Sequence, residues 1–288
     1  MTTSEILKKV RRIEIKSRKI SDHLFAGEYH SAFKGQGMSF SEVRAYTYGD
    51  DVRNIDWNVT ARAGDTFIKT FEEERELTVM LLIDVSESLN FGTSDTFKKD
   101  YLLEIAAVLA FSASDNRDKI GALLFSDRIE AYIPPQKGRK NVLKLIRELL
   151  VSDAKDRKTD LSQALDYFYQ MQKRKCIAFV LSDFISSDYS LPLSMCAKKH
   201  DIIGIKISDH GEAVAPGLGL IEVMDPETGK KSLLDTSSAS FAQWYESSFL
   251  KKDEQDASLF KKSSARYLSL KTGDDYVKAL VGLFKRKS

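Results

Sequence analysis

Cysteine, histidine and proline are all scarce in this chain: two, four and five in 288 residues. Cys176 and Cys196 form no Cys-x-x-Cys pair, which excludes a disulfide framework and a cysteine-rich zinc site and predicts reduced thiols. His23, His30, His200 and His210 are too scattered to pair as ligands of a zinc hydrolase. No apolar run approaches the ~18 residues of a membrane span, and Met1 to Lys9 lacks the apolar centre of a secretion signal. A surplus of one charge is missing too. The 44 basic and 42 acidic residues leave +2, far from the strong basic excess of a dedicated nucleic-acid binder. These absences point to a soluble cytoplasmic protein. The 42% hydrophobic content still fills a sizeable core, enough for one large domain or one large and one small.

What is present is organised around Val79-Met80-Leu81-Leu82-Ile83-Asp84-Val85-Ser86-Glu87-Ser88. An unbroken apolar run of this length predicts a strand buried on both faces of a sheet. It stops at an acid followed by serines at alternate positions. In an open parallel sheet, ligands gather at the C-terminal ends of the strands, so Asp84, Ser86 and Ser88 open a candidate site. Their hard oxygens suit Mg²⁺ or Mn²⁺ better than zinc or copper.

Before that strand, residues 4 to 20 carry Ile6, Leu7, Val10, Ile13 and Ile20 near helical spacing amid lysines and arginines. The pattern is that of a helix with a solvated basic face, a nucleic-acid or membrane-surface helix being the alternative. Gly35-Gln36-Gly37 lacks the preceding strand, third glycine and following helix of a dinucleotide fingerprint. Tyr48-Gly49-Asp50 is turn chemistry, and Ile55, Trp57 and Val59 alternate as one face of a short strand. Asp51, Arg53, Asp56 and Arg62 are expected to form ion pairs joining this region to the main domain, a partner-docking surface being the alternative.

After the central strand, elements alternate: a helix over 93–116, a strand over 119–125 and a returning antiparallel edge strand over 129–133 ended by Pro134-Pro135. A helix over 140–151 follows, then one over about 160–173 opened by the capping pair Asp160 and Gln163. Strands over 176–181 and 202–207 flank a short helix over 190–199. Two strands about Asp225-Pro226-Glu227-Thr228-Gly229 predict a hairpin, and residues 238–264 a helix with Phe241, Trp244, Tyr245, Phe249, Leu259 and Phe260 as a core-facing stripe. A strand over 266–270 and a helix over 274–287 close the chain. The alternation predicts an α/β fold with a doubly wound, mainly parallel sheet, preceded by a small N-terminal β-rich region. The expected division is 1–75 and 76–288, with the hairpin inserted at about 218–236.

Thr159 and Asp183, the latter in Leu181-Ser182-Asp183, add two more oxygen donors at loop and strand ends. Each of these motifs also has a capping interpretation, since Asp, Ser and Thr after a strand often cap the next helix. Asp84-x-Ser86-x-Ser88, Thr159 and Asp183 together resemble the metal-ion-dependent adhesion site of von Willebrand factor A domains. Over nearly the whole chain, Tyr48-Gly49-Asp50-Asp51-Val52-Arg53 with Ile55-Asp56-Trp57, Ala61-Arg62 and the 225–229 turn resembles the bacterial domain-of-unknown-function 58 family. Glu87 departs from the glycine or other small residue common at its position. The resemblance implies a non-enzymatic binding module. In it Ser86 and Ser88 hold Mg²⁺ directly, Thr159 directly or through water, and Asp84 and Asp183 through water, with a partner's carboxylate as the last ligand. It also implies a MoxR-type AAA ATPase as partner in assembly or stress-related work. The rival is a Mg²⁺-dependent phosphoryl or phosphodiester hydrolase. A haloacid-dehalogenase-type site would need an acid where Ser86 stands, and neither Gly-x-Ser-x-Gly nor a P-loop occurs.

Overall fold

The computed structural model describes residues 11, 13, 14, 17, 39–72, 77–92, 97–152, 158–213, 217, 219–224 and 231–285. The basic helix expected over 4–20 falls largely outside them, and the Gly35–Gly37 pair and the 225–229 turn wholly so. A small antiparallel sheet comes first, β1 (Ser39–Ala45) against β2 (Phe67–Glu72). Between them lies α1 (Trp57–Ala63), where the alternation of Ile55, Trp57 and Val59 predicts a strand. Local chemistry decides for the helix. Asp56 accepts hydrogen bonds from the Asn58 and Val59 amides, capping the first turn, and Gly64 ends the helix in the left-handed region at φ 82°. Trp57 is left 69% exposed. The ion pairs Arg44–Asp50, Arg53–Asp51 and Lys69–Asp56 join residues of this small unit to one another, rather than to the main sheet as expected.

The main sheet has six strands: β3 (Thr78–Asp84), β4 (Lys119–Phe125), β5 (Ile129–Gln136), β6 (Ile177–Ser182), β7 (Asp201–Ser208) and β10 (Arg266–Lys271). Their order is β10-β7-β6-β3-β4-β5, parallel except for β5, which pairs antiparallel with β4 at one border. Strands β8 (Leu220–Met224) and β9 (Lys231–Asp235) form a separate antiparallel pair. Pro134 and Pro135 lie inside β5 rather than ending it, at an irregularity in the register opposite Gly121. An edge strand tolerates them because a missing amide there breaks little of the ladder.

Helices cover both faces because the strands alternate two apolar sets. Leu81, Ile83, Phe179 and Leu181 pack towards α2 (Lys98–Asp115), α3 (Arg139–Val151) and α7 (Tyr276–Lys285). Met80, Leu82, Ala178 and Val180 pack towards α4 (Leu161–Met171), α5 (Ser190–Lys199) and the C-terminal end of α6 (Ala239–Lys262). Helix α6 departs from expectation. Its predicted core stripe is buried only at Phe260, and Trp244 is 61% exposed. The anchor is polar: buried Lys206 on β7 pairs with Asp253 and Asp256, which also accept from Tyr267 and Tyr189. Those contacts hold the C-terminal half, while in the first half Phe241, Tyr245 and Phe249 are only half-buried, Phe249 with its ring centre 5.7 Å from the Lys206 ammonium.

A Cβ on Gly204 would meet the Phe260 ring at 2.5 Å, and that ring is wedged against Phe184 and Tyr267. Gly204→Ala should lower unfolding stability by about 1–3 kcal/mol in a urea titration, and Phe260→Leu in the same chain should restore part of it. His200 is buried against Phe168, with Nδ1 3.4 Å from the Cys176 sulfur. Burial, and then Lys199, lowers its pKa to about 4, so the fold holds it neutral while the unfolded chain protonates it. Its contribution is complete above the ordinary value and is lost as pH falls towards 4. Between pH 7 and 4.5, wild type should lose about 2.5 kcal/mol more than His200→Leu, measured by denaturant unfolding.

Candidate metal centre

The candidate site lies where the strand order reverses. From β3 the chain proceeds outward through β4 and β5, then returns to β6 on the other side of β3 and runs outward again through β7 and β10. The C-terminal ends of β3 and β6 therefore sit side by side with a crevice between their loops, as ligand sites in such sheets require. Ile83 pairs with Leu181, so Asp84 and Ser182 follow at the same level.

Asp84 is buried and doubly bonded. One carboxylate oxygen accepts from the Ser86 amide at 2.9 Å, the other from the Ser182 hydroxyl at 2.6 Å. Burial, and then the charge of Asp183, pushes its carboxyl up to about 6, opposed by the hydrogen bonds from Ser182 and Ser86. The turn Glu87–Asn90 follows, and the Ser86 hydroxyl is not spent on capping it. That hydroxyl lies 3.0 Å from the Ser88 hydroxyl and accepts from Thr159 at 2.8 Å. Thr159 is brought in from the loop before α4. The Asp160 amide donates to the carbonyl of Ser126 beyond β4, and Ser186 beyond β6 bonds both the Thr159 carbonyl and the Leu161 amide. Asp160, not Thr159, caps α4, through the Gln163 amide. The capping interpretation thus applies to Asp160 and leaves the hydroxyls of Ser86 and Thr159 facing each other.

Asp183 follows β6 and is also buried. Its two oxygens accept from the Ile185 amide at 3.1 Å and from the ammonium of Lys98 at 3.1 Å. The five predicted residues are thus four joined by direct hydrogen bonds, with Asp183 close enough for its charge to act on Asp84. Glu87, the departure noted in the sequence, is exposed on the turn. Three participants carry no signal in the motif. Ser182 supports Asp84, Lys98 holds Asp183, and Glu212 holds Lys98 from 114 residues away. Lys98 had one local clue: a cation in the first turn of a helix opposes the macrodipole.

Among the described residues no three His, Cys, Asp or Glu side chains gather as a metal cluster. What gathers here is two carboxylates and three hydroxyls, a donor set fitted to a hard cation and not to a soft one.

The family model described as "Protein of unknown function DUF58" matches residues 42–255. The chain belongs to this family. An uncharacterized protein of Mycobacterium tuberculosis is 29% identical to this DUF58 chain over 223 residues, 76% of the chain and 70% of that protein. Among solved structures it is similar to the conserved hypothetical protein BatB from Bacteroides thetaiotaomicron, at 14% identity and a TM-score of 0.47, covering 72% of this chain and 96% of that one. It is also similar to the SpRpn10 VWA domain, at 12% identity and 0.41, covering 72% and 93%. The main sheet of this DUF58 protein, mostly parallel and covered by helices on both faces, is an α/β fold.

The Ser182 hydroxyl also accepts from the Phe184 amide, so it joins Asp84 to the loop carrying Asp183. Ser182→Ala leaves a buried carboxylate oxygen without its donor. Thermal or urea unfolding should show a loss of about 1–3 kcal/mol with the native circular dichroism retained.

Proposed function

We propose that this DUF58 protein is a Mg²⁺-dependent protein-binding module, with Asp84, Ser86, Ser88, Thr159 and Asp183 as the ligand set. The observation that carries the reading is the hydroxyl chain Thr159–Ser86–Ser88 set beside two buried carboxylates. Ser86 and Ser88 would bind the ion directly, Thr159 directly or through water, and Asp84 and Asp183 through water; Mn²⁺ fits the same donors. With neutral oxygens nearest, a bound ion supplies Lewis acidity towards an incoming carboxylate, which a partner would provide. Both acids are already engaged, Asp84 by Ser86 and Ser182, Asp183 by Lys98 and Ile185, so neither stands ready as a general base. That supports binding over hydrolysis.

The family resemblance suggests a MoxR-type AAA ATPase as the partner, in assembly or stress-related work in the cytoplasm. No helix among the described residues is long and apolar enough to cross a membrane. The same proposal divides the chain into a small unit over 1–75 and a main domain over 76–288, with a hairpin insertion at about 218–236.

Thermal unfolding with Mg²⁺ or EDTA tests the site. Free Mg²⁺ at about 100 times its Kd stabilises by about 2.7 kcal/mol, a rise of several degrees in Tm. Ser86→Ala with Ser88→Ala should abolish that rise and the Mg²⁺-dependent capture of the ATPase while leaving the fold intact. A wild-type protein indifferent to Mg²⁺ and Mn²⁺ sinks the reading. Phosphate-ester turnover that disappears in Asp84→Ala would replace it with a metal-dependent hydrolase.

A further inference from the structure

The most unusual side chain near the site is not a candidate ligand. Lys98 is the first residue of α2, is fully buried, and places its ammonium 3.1 Å from Asp183 and 2.6 Å from Glu212. Both circumstances oppose it. A buried ammonium loses its hydration, and the N-terminal end of a helix repels a cation. Its presence there needs the two carboxylates, and each is itself fixed. Asp183 is held by the Ile185 amide, and Glu212, in the short turn after β7, accepts the Asp209 amide at 2.8 Å through its other oxygen.

The charges can be counted from these contacts. Within this bonded group Asp84, Asp183 and Glu212 are three acids and Lys98 one cation, a formal balance of two negative charges. We propose that Lys98 is a resident cation that sets the divalent-ion affinity of this site, weakening it by neutralising one of the three carboxylates, of which Asp84 and Asp183 are buried and Glu212 half-buried, and by occupying one oxygen of Asp183. Lys98 is thus a positioning and affinity-setting residue, and it makes Asp183 an outer, water-mediated ligand. Glu212 is its counterweight and has no place in the ligand set. This inference rests on the metal-binding reading above.

The test is a charge series in the full chain. Mn²⁺ affinity is read by electron paramagnetic resonance and Mg²⁺ affinity by the shift in Tm, with circular dichroism in EDTA as the check on folding. Lys98→Met leaves three negative charges and should bind either ion roughly tenfold more tightly or better. Glu212→Gln leaves one and should bind at least several-fold more weakly. Lys98→Met with Glu212→Gln restores the wild-type count of two and should bring the affinity back near wild type. A residue that merely shaped the site would give the opposite pattern, with Lys98→Met weaker than wild type and the double variant weaker still, and that result overturns the proposal. If Lys98→Met does not fold, wild type against Glu212→Gln decides alone: equal affinities refute the charge effect. Absence of ion binding by wild type defeats the metal reading itself, whereas binding in the reversed order leaves that reading standing and removes only the role of Lys98.

Discussion

Two carboxylates held out of water at the ends of neighbouring strands are the constraint that shapes the rest of this domain. A buried carboxylate is tolerable only with donors or counter-charges around it. Asp84 obtains an amide and a hydroxyl from its own turn and from the end of β6, and Asp183 obtains an amide and an ammonium. Supplying those donors ties together the turn after β3, the loop after β6 and the first turn of α2. The sheet order makes this possible, because β3 and β6 are adjacent despite nearly a hundred intervening residues.

The main sheet was legible in the sequence because its strands are continuous apolar runs with helices between them. Such runs have few alternatives in a chain of this composition. The convergence of the proposed ligands was legible for a related reason. Asp84, Ser86, Ser88 and Asp183 end or closely follow strands whose boundaries are sharply marked, and Thr159 directly precedes the Asp160 cap of α4. Lys98 and Glu212 were not, since their meeting depends on the placement of α2 against the turn after β7, and no local pattern encodes a contact across 114 residues.

The misreadings have equally specific causes. Three alternating apolar residues around Trp57 are too few to specify a strand, and the Asp56 cap outweighs them. In α6 the aromatic stripe has helical spacing, but spacing says only that a face exists. Where that face goes was decided by Lys206, whose pairing with Asp253 and Asp256 holds the other end of the helix.

The adjacent prolines in β5 bear on how the domain behaves among other molecules. Neither Pro134 nor Pro135 carries an amide hydrogen, so this stretch of the edge strand has no N–H donor to offer on either side. The outer border of the sheet therefore offers an incomplete row of hydrogen-bond donors there, and a foreign strand cannot zip along its full length. A parallel sheet rich in valine, leucine and isoleucine is in this way protected on one flank against extension into aggregates.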